Sequence, residues 1–351
     1  MKKLMSTMLA ALMMAMLLAG CGSSAGGEDD SSQKGGSKDG YVIGYSDWGL
    51  VNTWRVQMQA EFDQTAEPYL KDGTIKQVIH CNADNDVTKQ IQDIRDLISK
   101  KVDLILVSCI DEESLNSVIA EAMDAGIPVI AFAQLTSTDH ITSQVGYDDY
   151  TYGKIGGEWL REALDGKGDI IVLGMTAGTS TDENRMAGFQ DAVKGSDIKV
   201  LGQDYGDGDY GKSKTVIASL LSAYPNIDGV YSMCGQTTQA LVDYCNEEGL
   251  PLYPAPGEAA NGFLRVWKDN MNHGFESIAP AAPTSCGTKA LEVGLKVLAG
   301  EEVDEYYDVN MPIITADNID DYFEPDLADS YWATGTCDYD LAVKTFGLYE
   351  K

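Results

Sequence analysis

Basic side chains are scarce in this chain: 25 Lys and Arg stand against 55 Asp and Glu in 351 residues, a formal charge of -30. Neutralising phosphates with Lys and Arg is what gives affinity for nucleic acid or for anionic lipid heads, so a surface this acidic argues against both as direct partners. Histidine is scarcer still, with only His80, His140 and His273, and none of the seven cysteines forms a CxxC pair. Zinc-ligand spacing is therefore absent. No G-x-S-x-G elbow and no P-loop occurs, which removes the usual signatures of serine hydrolases and nucleoside-triphosphate enzymes. The apolar run Leu4 to Leu18 is short for a spanning helix. The chain reads as a protein without catalytic residues, metal or cofactor.

What is present begins with the amino terminus. Lys2-Lys3 form a positive n-region ahead of the apolar run, which ends in Leu18-Ala19-Gly20-Cys21. That ending resembles the bacterial lipobox. The resemblance implies that residues 1–20 are a lipoprotein signal peptide and that Cys21 becomes the first mature residue, carrying lipid. The protein is then extracytoplasmic and held at the membrane by its anchor. Losing Lys2 and Lys3 reduces 25 basic residues to 23 against the same 55 acids. Residues 21–40 are dominated by Gly, Ser, Asp and Lys without a large apolar residue, the composition of a flexible tether. Cys81, Cys109, Cys234, Cys245, Cys286 and Cys337 lie at long spacings and read as buried thiols with no pairing assigned. His80 and Cys81 are adjacent within a strand-like run, so they point to opposite faces and do not form a nucleophile and base.

A hydrophobic content of 44% is ordinary for a globular fold, and the length suits two domains of about 100–200 residues. Short runs rich in β-branched residues occur at Tyr41–Tyr45, Ile75–Ile79, Leu104–Val107 and Ile127–Ala131. Amphipathic stretches separate them at Trp54–Tyr69, Val87–Ser99 and Glu113–Ala125. A second set of strands, Asp169–Leu173, Ile198–Leu201, Gly229–Ser232 and Leu250–Tyr253, alternates with helices near Asn184–Val193, Lys212–Ala223 and Thr237–Glu248. The fold class is α/β, with two Rossmann-like lobes, each a parallel sheet with helices on both faces. An internal repeat supports duplication. Asp103 and Asp228 each precede a strand, and Gly126-Ile-Pro128 and Gly249-Leu-Pro251 each end a helix and open the next strand.

In open parallel sheets, ligands sit beyond the carboxyl ends of the strands. The segment after the first strand, Ser46 to Arg55, offers Asp47, Trp48, Asn52, Trp54 and Arg55. Indoles stack on the CH face of a sugar ring, and charged groups hydrogen-bond its hydroxyls. A rival motif, Gly206-Asp-Gly-Asp-Tyr-Gly211, matches G-x-G-x-x-G between a strand and a helix. Asp207 and Asp209 would oppose a pyrophosphate, and the next strand ends Ser232-Met233-Cys234 without the acidic residue that reads a ribose. A nicotinamide-dependent enzyme is accordingly a remote alternative.

From Tyr41 to about Ile314 the chain resembles the type I sugar-binding proteins of ABC transporters, the ribose- and galactofuranose-binding group. The matching pieces are Asp86–Ile98, Val102–Leu115, Ala125–Ile130, Val145–Gly153 and Gly178–Phe189, in the family's order. The resemblance implies a three-crossover hinge near Tyr147, Pro280 and Pro312. It divides the chain into an N-terminal lobe of residues 41–146 plus 281–311 and a C-terminal lobe of residues 147–280 plus 312–351. It implies a monomer that closes on a sugar and hands it to ABC permease subunits. The alternative is a sensory protein that presents its ligand to a membrane receptor. Trp54-Arg55 looks like a pair that some relatives use on the sugar ring, and Asp148 and Arg185 fall at or beside the family's cleft. Ala133-Gln134 replaces an Asp-Arg pair, and Cys234-Gly235 an amide-carboxylate pair. Asp111, Gln134, Gln236, Glu258 and Asn261 complete the candidate set.

The amino terminus generates the first prediction. Cys21→Ser is expected to release the protein in soluble form on fractionation; membrane retention of a correctly cleaved variant would count against the lipobox reading.

Overall fold

A computed structural model of the chain describes residues 39–350; Cys21, the signal segment and nearly all of the tether lie outside the described residues. The chain runs first through β1 (Tyr41–Asp47), α1 (Thr53–Asp72), β2 (Ile75–Asn82), α2 (Val87–Lys100), β3 (Leu104–Ser108), α3 (Asn116–Asp124), β4 (Val129–Phe132) and β5 (Ser143–Gly146). Next come α4 (Asp149–Ala163), β6 (Lys167–Gly174), α5 (Ser180–Val193), β7 (Asp197–Tyr205), α6 (Tyr210–Ala223), β8 (Gly229–Ser232), α7 (Gly235–Glu248) and α8 (Asn261–Asn270). Five further elements follow: β9 (Ala279–Pro280), α9 (Cys286–Leu298), β10 (Tyr306–Asp308), β11 (Ile313–Ile314) and α10 (Tyr339–Phe346).

The first sheet runs β10-β5-β4-β3-β1-β2 and the second β7-β6-β8, with every pairing parallel. β3 and β4 are buried along their whole length, as expected of strands covered on both faces. His80 and Cys81 do point apart: His80 meets Asp63 at 2.9 Å, while Cys81 packs against the cluster containing Ile94 and Leu97. After α9 the chain returns to the first sheet, where β10 pairs with β5. β11 then runs antiparallel to β9, and Ala281 donates its N–H to the Pro312 carbonyl at 2.9 Å.

The repeat has a physical counterpart in the two sheets. Asp103 accepts the Val42 N–H at 2.7 Å, and Asp228 accepts the Asp169 N–H at 2.8 Å. Each carboxylate thus ties its own strand, β3 or β8, to the start of the neighbouring one, β1 or β6. Gly126 and Gly249 both take positive φ, 79° and 64°, where a side chain would be strained.

Two readings need correction. Leu250–Tyr253 forms no strand; the chain there is extended, but Pro251, Pro254 and Pro256 lack N–H groups and break the ladder. Only scattered bonds remain, from Val230 N to Pro254 O and from Ala255 and Gly257 N to the carbonyls of Glu276 and Ile278. The third helix starts at Asn116 rather than Glu113, because Asp111 closes a turn by accepting from the N–H groups of Glu113 and Ser114. The alternation read from the sequence also contains no counterpart of β5, α4, α8, α9 or α10.

α4 and α5 cross at backbone contact. A Cβ on Gly153 would lie 1.9 Å from the Arg185 carbonyl oxygen, and one on Gly188 would lie 2.0 Å from that of Tyr150. This approach seats Arg185 of α5 against Asp149 and Tyr152 of α4. Gly153→Ala is therefore expected to cost about 1–3 kcal/mol in a urea melt, as overpacking usually does. A loss below about 0.5 kcal/mol, the range of a neutral surface change, would mean that the helices can separate freely.

Candidate functional site

Between the lobes lies a cavity with about 480 Å³ not filled by atoms, part of it open to solvent. Its wall combines Trp48, Trp54, Tyr147, Met175 and Trp332 with Asn52, Gln134, Thr176, Thr179, Thr181, Cys234, Arg55, Arg185 and Glu258. The first-lobe side is organised by Arg55, which is 1% exposed. Asn52 caps α1 by accepting the Arg55 N–H at 3.1 Å, which fixes where the arginine leaves the helix. Its guanidinium pairs with Asp47 at 2.6 Å, reaches Ser108 Oγ at 3.3 Å, donates to Gln134 Oε1 and lies 4.2 Å from the Trp48 ring centre. Trp48 donates its own Nε1–H to the same Gln134 oxygen at 3.1 Å. Burial pushes the Asp47 carboxyl above its ordinary range against the pull of Arg55.

Arg185, 2% exposed, organises the second-lobe side. It donates to Asp149 at 2.7 Å, the Met233 carbonyl at 2.5 Å and Glu258 at 3.4 Å, and its Cζ lies 3.6 Å from the Tyr152 ring centre. Burial opposes its charge, and Glu258 and Asp149 more than offset that pull. Both lobes therefore carry the same unit, an aromatic-stacked guanidinium with a buried carboxylate. Hydrogen bonds also run directly between the lobes: Gln134 Nε2 to Thr181 Oγ1 at 2.9 Å, Asn184 Nδ2 to Glu112 at 2.8 Å and Gln236 Nε2 to Thr53 Oγ1 at 3.0 Å.

Of the sequence candidates, Trp48, Asn52, Trp54, Arg55, Gln134, Arg185 and Glu258 line the cavity. Asp47 stands behind Arg55, and Asp111 is spent on its turn. Asp148 is exposed and caps α4 by accepting from Tyr150 N at 3.0 Å, so the carboxylate that meets Arg185 is the next residue, Asp149. Gln236 bridges to Thr53 outside the lining. Asn261 is turned away altogether: its Nδ2 donates to the carbonyls of Glu324 and Leu327, and its Oδ1 accepts the Glu324 N–H. Sequence reasoning missed Tyr147, Thr179, Thr181 and Trp332. The first three lie inside or beside the quoted motifs, whereas Trp332 carried no signal.

Cys234, the thiol in the cavity wall, has its pKa pushed up to about 12 by burial and stays protonated. In the Gly206–Gly211 loop, Asp209 caps α6 by accepting from Lys212 N at 2.7 Å, placing a carboxylate where a dinucleotide site needs a pyrophosphate.

Glu258 generates a pH prediction. Burial, opposed by Arg185, raises its pKa to about 7. A carboxyl raised on folding holds its proton in the folded state while the unfolded chain has lost it, so its contribution is fully present below the unfolded value and is lost as pH rises through about 7. From pH 5 to 7.5 the melting temperature of the native protein should therefore fall relative to that of Glu258→Gln. Parallel melting curves would count against the shift.

This geometry has relatives. The family described as the periplasmic binding protein domain matches residues 43–302. The chain is 25% identical over 253 residues to the ribose import binding protein of Salmonella typhimurium, covering 70% of this chain and 84% of that one. It is 28% identical over 260 residues to the xylitol-binding protein of Mycolicibacterium smegmatis, covering 72% of each. The structure of an ABC transporter solute binding protein from Bacillus halodurans with bound myo-inositol superposes with a TM-score of 0.71 at 22% identity, over 81% of this chain and 98% of that one. Two parallel-sheet lobes facing one another across a polar and aromatic cavity, with a family match over most of the described chain, establish that this protein belongs to the periplasmic binding protein family.

Proposed function

We propose that this chain is the extracytoplasmic solute-binding component of an ABC importer, capturing a neutral sugar or sugar-like polyol between its lobes and delivering it to the permease. The observation that carries this reading is the balance of charge around an aromatic cavity. Arg55 is matched by Asp47, and Arg185 by Asp149 and Glu258, so no surplus positive charge remains to hold an anionic ligand. Three indoles and a phenol supply apolar planes, while Asn52, Gln134, Thr176, Thr179 and Thr181 supply mixed donors and acceptors. A polyhydroxylated ring with one CH face meets those requirements.

Closure follows from the same reading. The lobes turn about crossovers near Tyr147, Pro280 and Pro312, and the bonds of Gln134, Asn184 and Gln236 across the cleft hold the closed form. Outside the lobes, Cys21 supplies the lipid anchor, the 21–40 segment gives the protein reach from the membrane, and the protein works as a monomer. Permease subunits read the outer surface of the closed lobes.

The test is a binding screen with D-ribose, xylitol and myo-inositol against D-ribose 5-phosphate and D-glucuronate. A true ligand at 100 times its dissociation constant stabilises by about 2.7 kcal/mol. At least one neutral compound should raise the melting temperature and shrink the radius measured by solution scattering, while the two anions do neither. Binding of an anion alone, or of none of the five, would overturn the reading.

A further inference from the structure

The carboxyl-terminal segment lies beyond the family match, which ends at residue 302, yet it reaches the cavity. At Trp332 it is fastened to both lobes at once. The Gln57 side chain of α1 forms a paired bond with this residue's backbone, accepting the Trp332 N–H at 2.9 Å and donating to its carbonyl at 2.8 Å. On either side, the Tyr331 carbonyl accepts from Asn261 N at 2.8 Å and Ala333 N donates to Ala259 O at 2.9 Å, in the second lobe. The indole, 1% exposed, stands in the cavity wall with its Nε1–H on Thr53 Oγ1 at 2.8 Å.

The preceding and following residues keep the segment in place. Buried Glu61 of α1 accepts from Cys337 N at 3.1 Å and from Thr336 Oγ1 at 3.3 Å, and a Cβ on Gly335 would lie 1.8 Å from its Oε1. Arg265 of α8 pairs with Asp329 at 2.9 Å. This fixation acts on a residue whose backbone N–H and C=O are both satisfied by Gln57, which is not part of the cavity wall. Only the ring is left to face the ligand.

We propose that Trp332 is a ligand-contacting residue, an aromatic wall for the sugar's CH face delivered by a C-terminal strap that spans both lobes. The assignment rests on the sugar-binding reading above. Because α1 and residues 259–261 hold the indole jointly, it takes its place when the lobes close and favours ligands that present a flat apolar face. Cyclic compounds therefore gain from it, whereas an open-chain polyol gains little.

The experiment measures calorimetric binding of D-ribose, myo-inositol and xylitol to the full-length native protein, Trp332→Ala and Trp332→Phe, beside sugar-free melting curves. Trp332→Phe keeps an aromatic face and loses only the bond to Thr53, so it should bind within about threefold of native, at nearly native melting temperature. Trp332→Ala should bind the cyclic compounds at least about tenfold more weakly, the effect of losing a stacking surface, with a smaller change for xylitol. Equal affinity of all three proteins would overturn the assignment alone, leaving the sugar site intact. So would a loss of binding in both variants that tracks a lowered sugar-free melting temperature, which marks a packing role. Failure of the native protein to bind any of the three would overturn the sugar reading, and the assignment with it.

Discussion

A guanidinium taken out of water loses several kcal/mol of solvation, and a fold can hold one only by surrounding it with carboxylate, acceptor oxygen and aromatic surface. This protein meets that demand twice, on facing walls of one cavity. Arg55 sits at the start of α1 because Asn52 caps the helix there, and its carboxylate, Asp47, is the last residue of β1. Arg185 sits on α5 because glycines let α4 and α5 touch backbone to backbone, bringing Asp149 within 2.7 Å. The caps, the close helix crossing and the strand ends all converge on satisfying two buried cations. The cavity is the space left between those two units.

The consequence for recognition is that the arginines act chiefly as fixtures. The Arg55 guanidinium is already engaged by Asp47, Ser108 and Gln134. Removing it would strand the Asp47 carboxylate in the interior, so a loss of binding after that substitution would mix lost contact with lost fold. Gln134 is the more adaptable group. Its oxygen gathers donors from Trp48, Arg55 and Ser108, and its amide crosses to Thr181. An entering hydroxyl, both donor and acceptor, can take up any one of those bonds without leaving its former partner unsatisfied, which suits the polyol ligand proposed for this site.

Much of the arrangement was legible in the sequence because topology does the placing. In a parallel sheet the segments after the strands gather at one edge, so the run from Trp48 to Arg55 after β1 and Gln134 after β4 reach the cavity whatever the details of packing. Details set by single caps were not legible. Asp148 and Asp149 are adjacent carboxylates, and only the start of α4 decides that the first caps the helix while the second meets Arg185. Asn261 looked like a ligand because it is polar and near the right strand, but its partners are backbone carbonyls more than sixty residues away. Trp332 was invisible for the same reason: its place depends on Gln57 and Asn261, which no local pattern connects to it. The proline-broken segment after Gly249 shows the opposite failure, where β-like composition outran the supply of N–H donors.

The distribution of charge completes the physical picture. The chain carries a formal charge of -30, yet within the cavity each cation has its carboxylate and Glu258 titrates near neutrality. The acidic surplus must therefore lie largely on the outer surface, where water and counterions screen it at little cost. Such a surface repels anions during approach, and the balanced interior offers them nothing on arrival. The neutral polyol proposed as ligand meets neither barrier, since stacking and hydrogen bonds carry no charge requirement. On the proposed reading, selectivity against anions is exercised twice, by the long-range field in the encounter and by the missing positive charge in the bound state. It needs no residue dedicated to rejection.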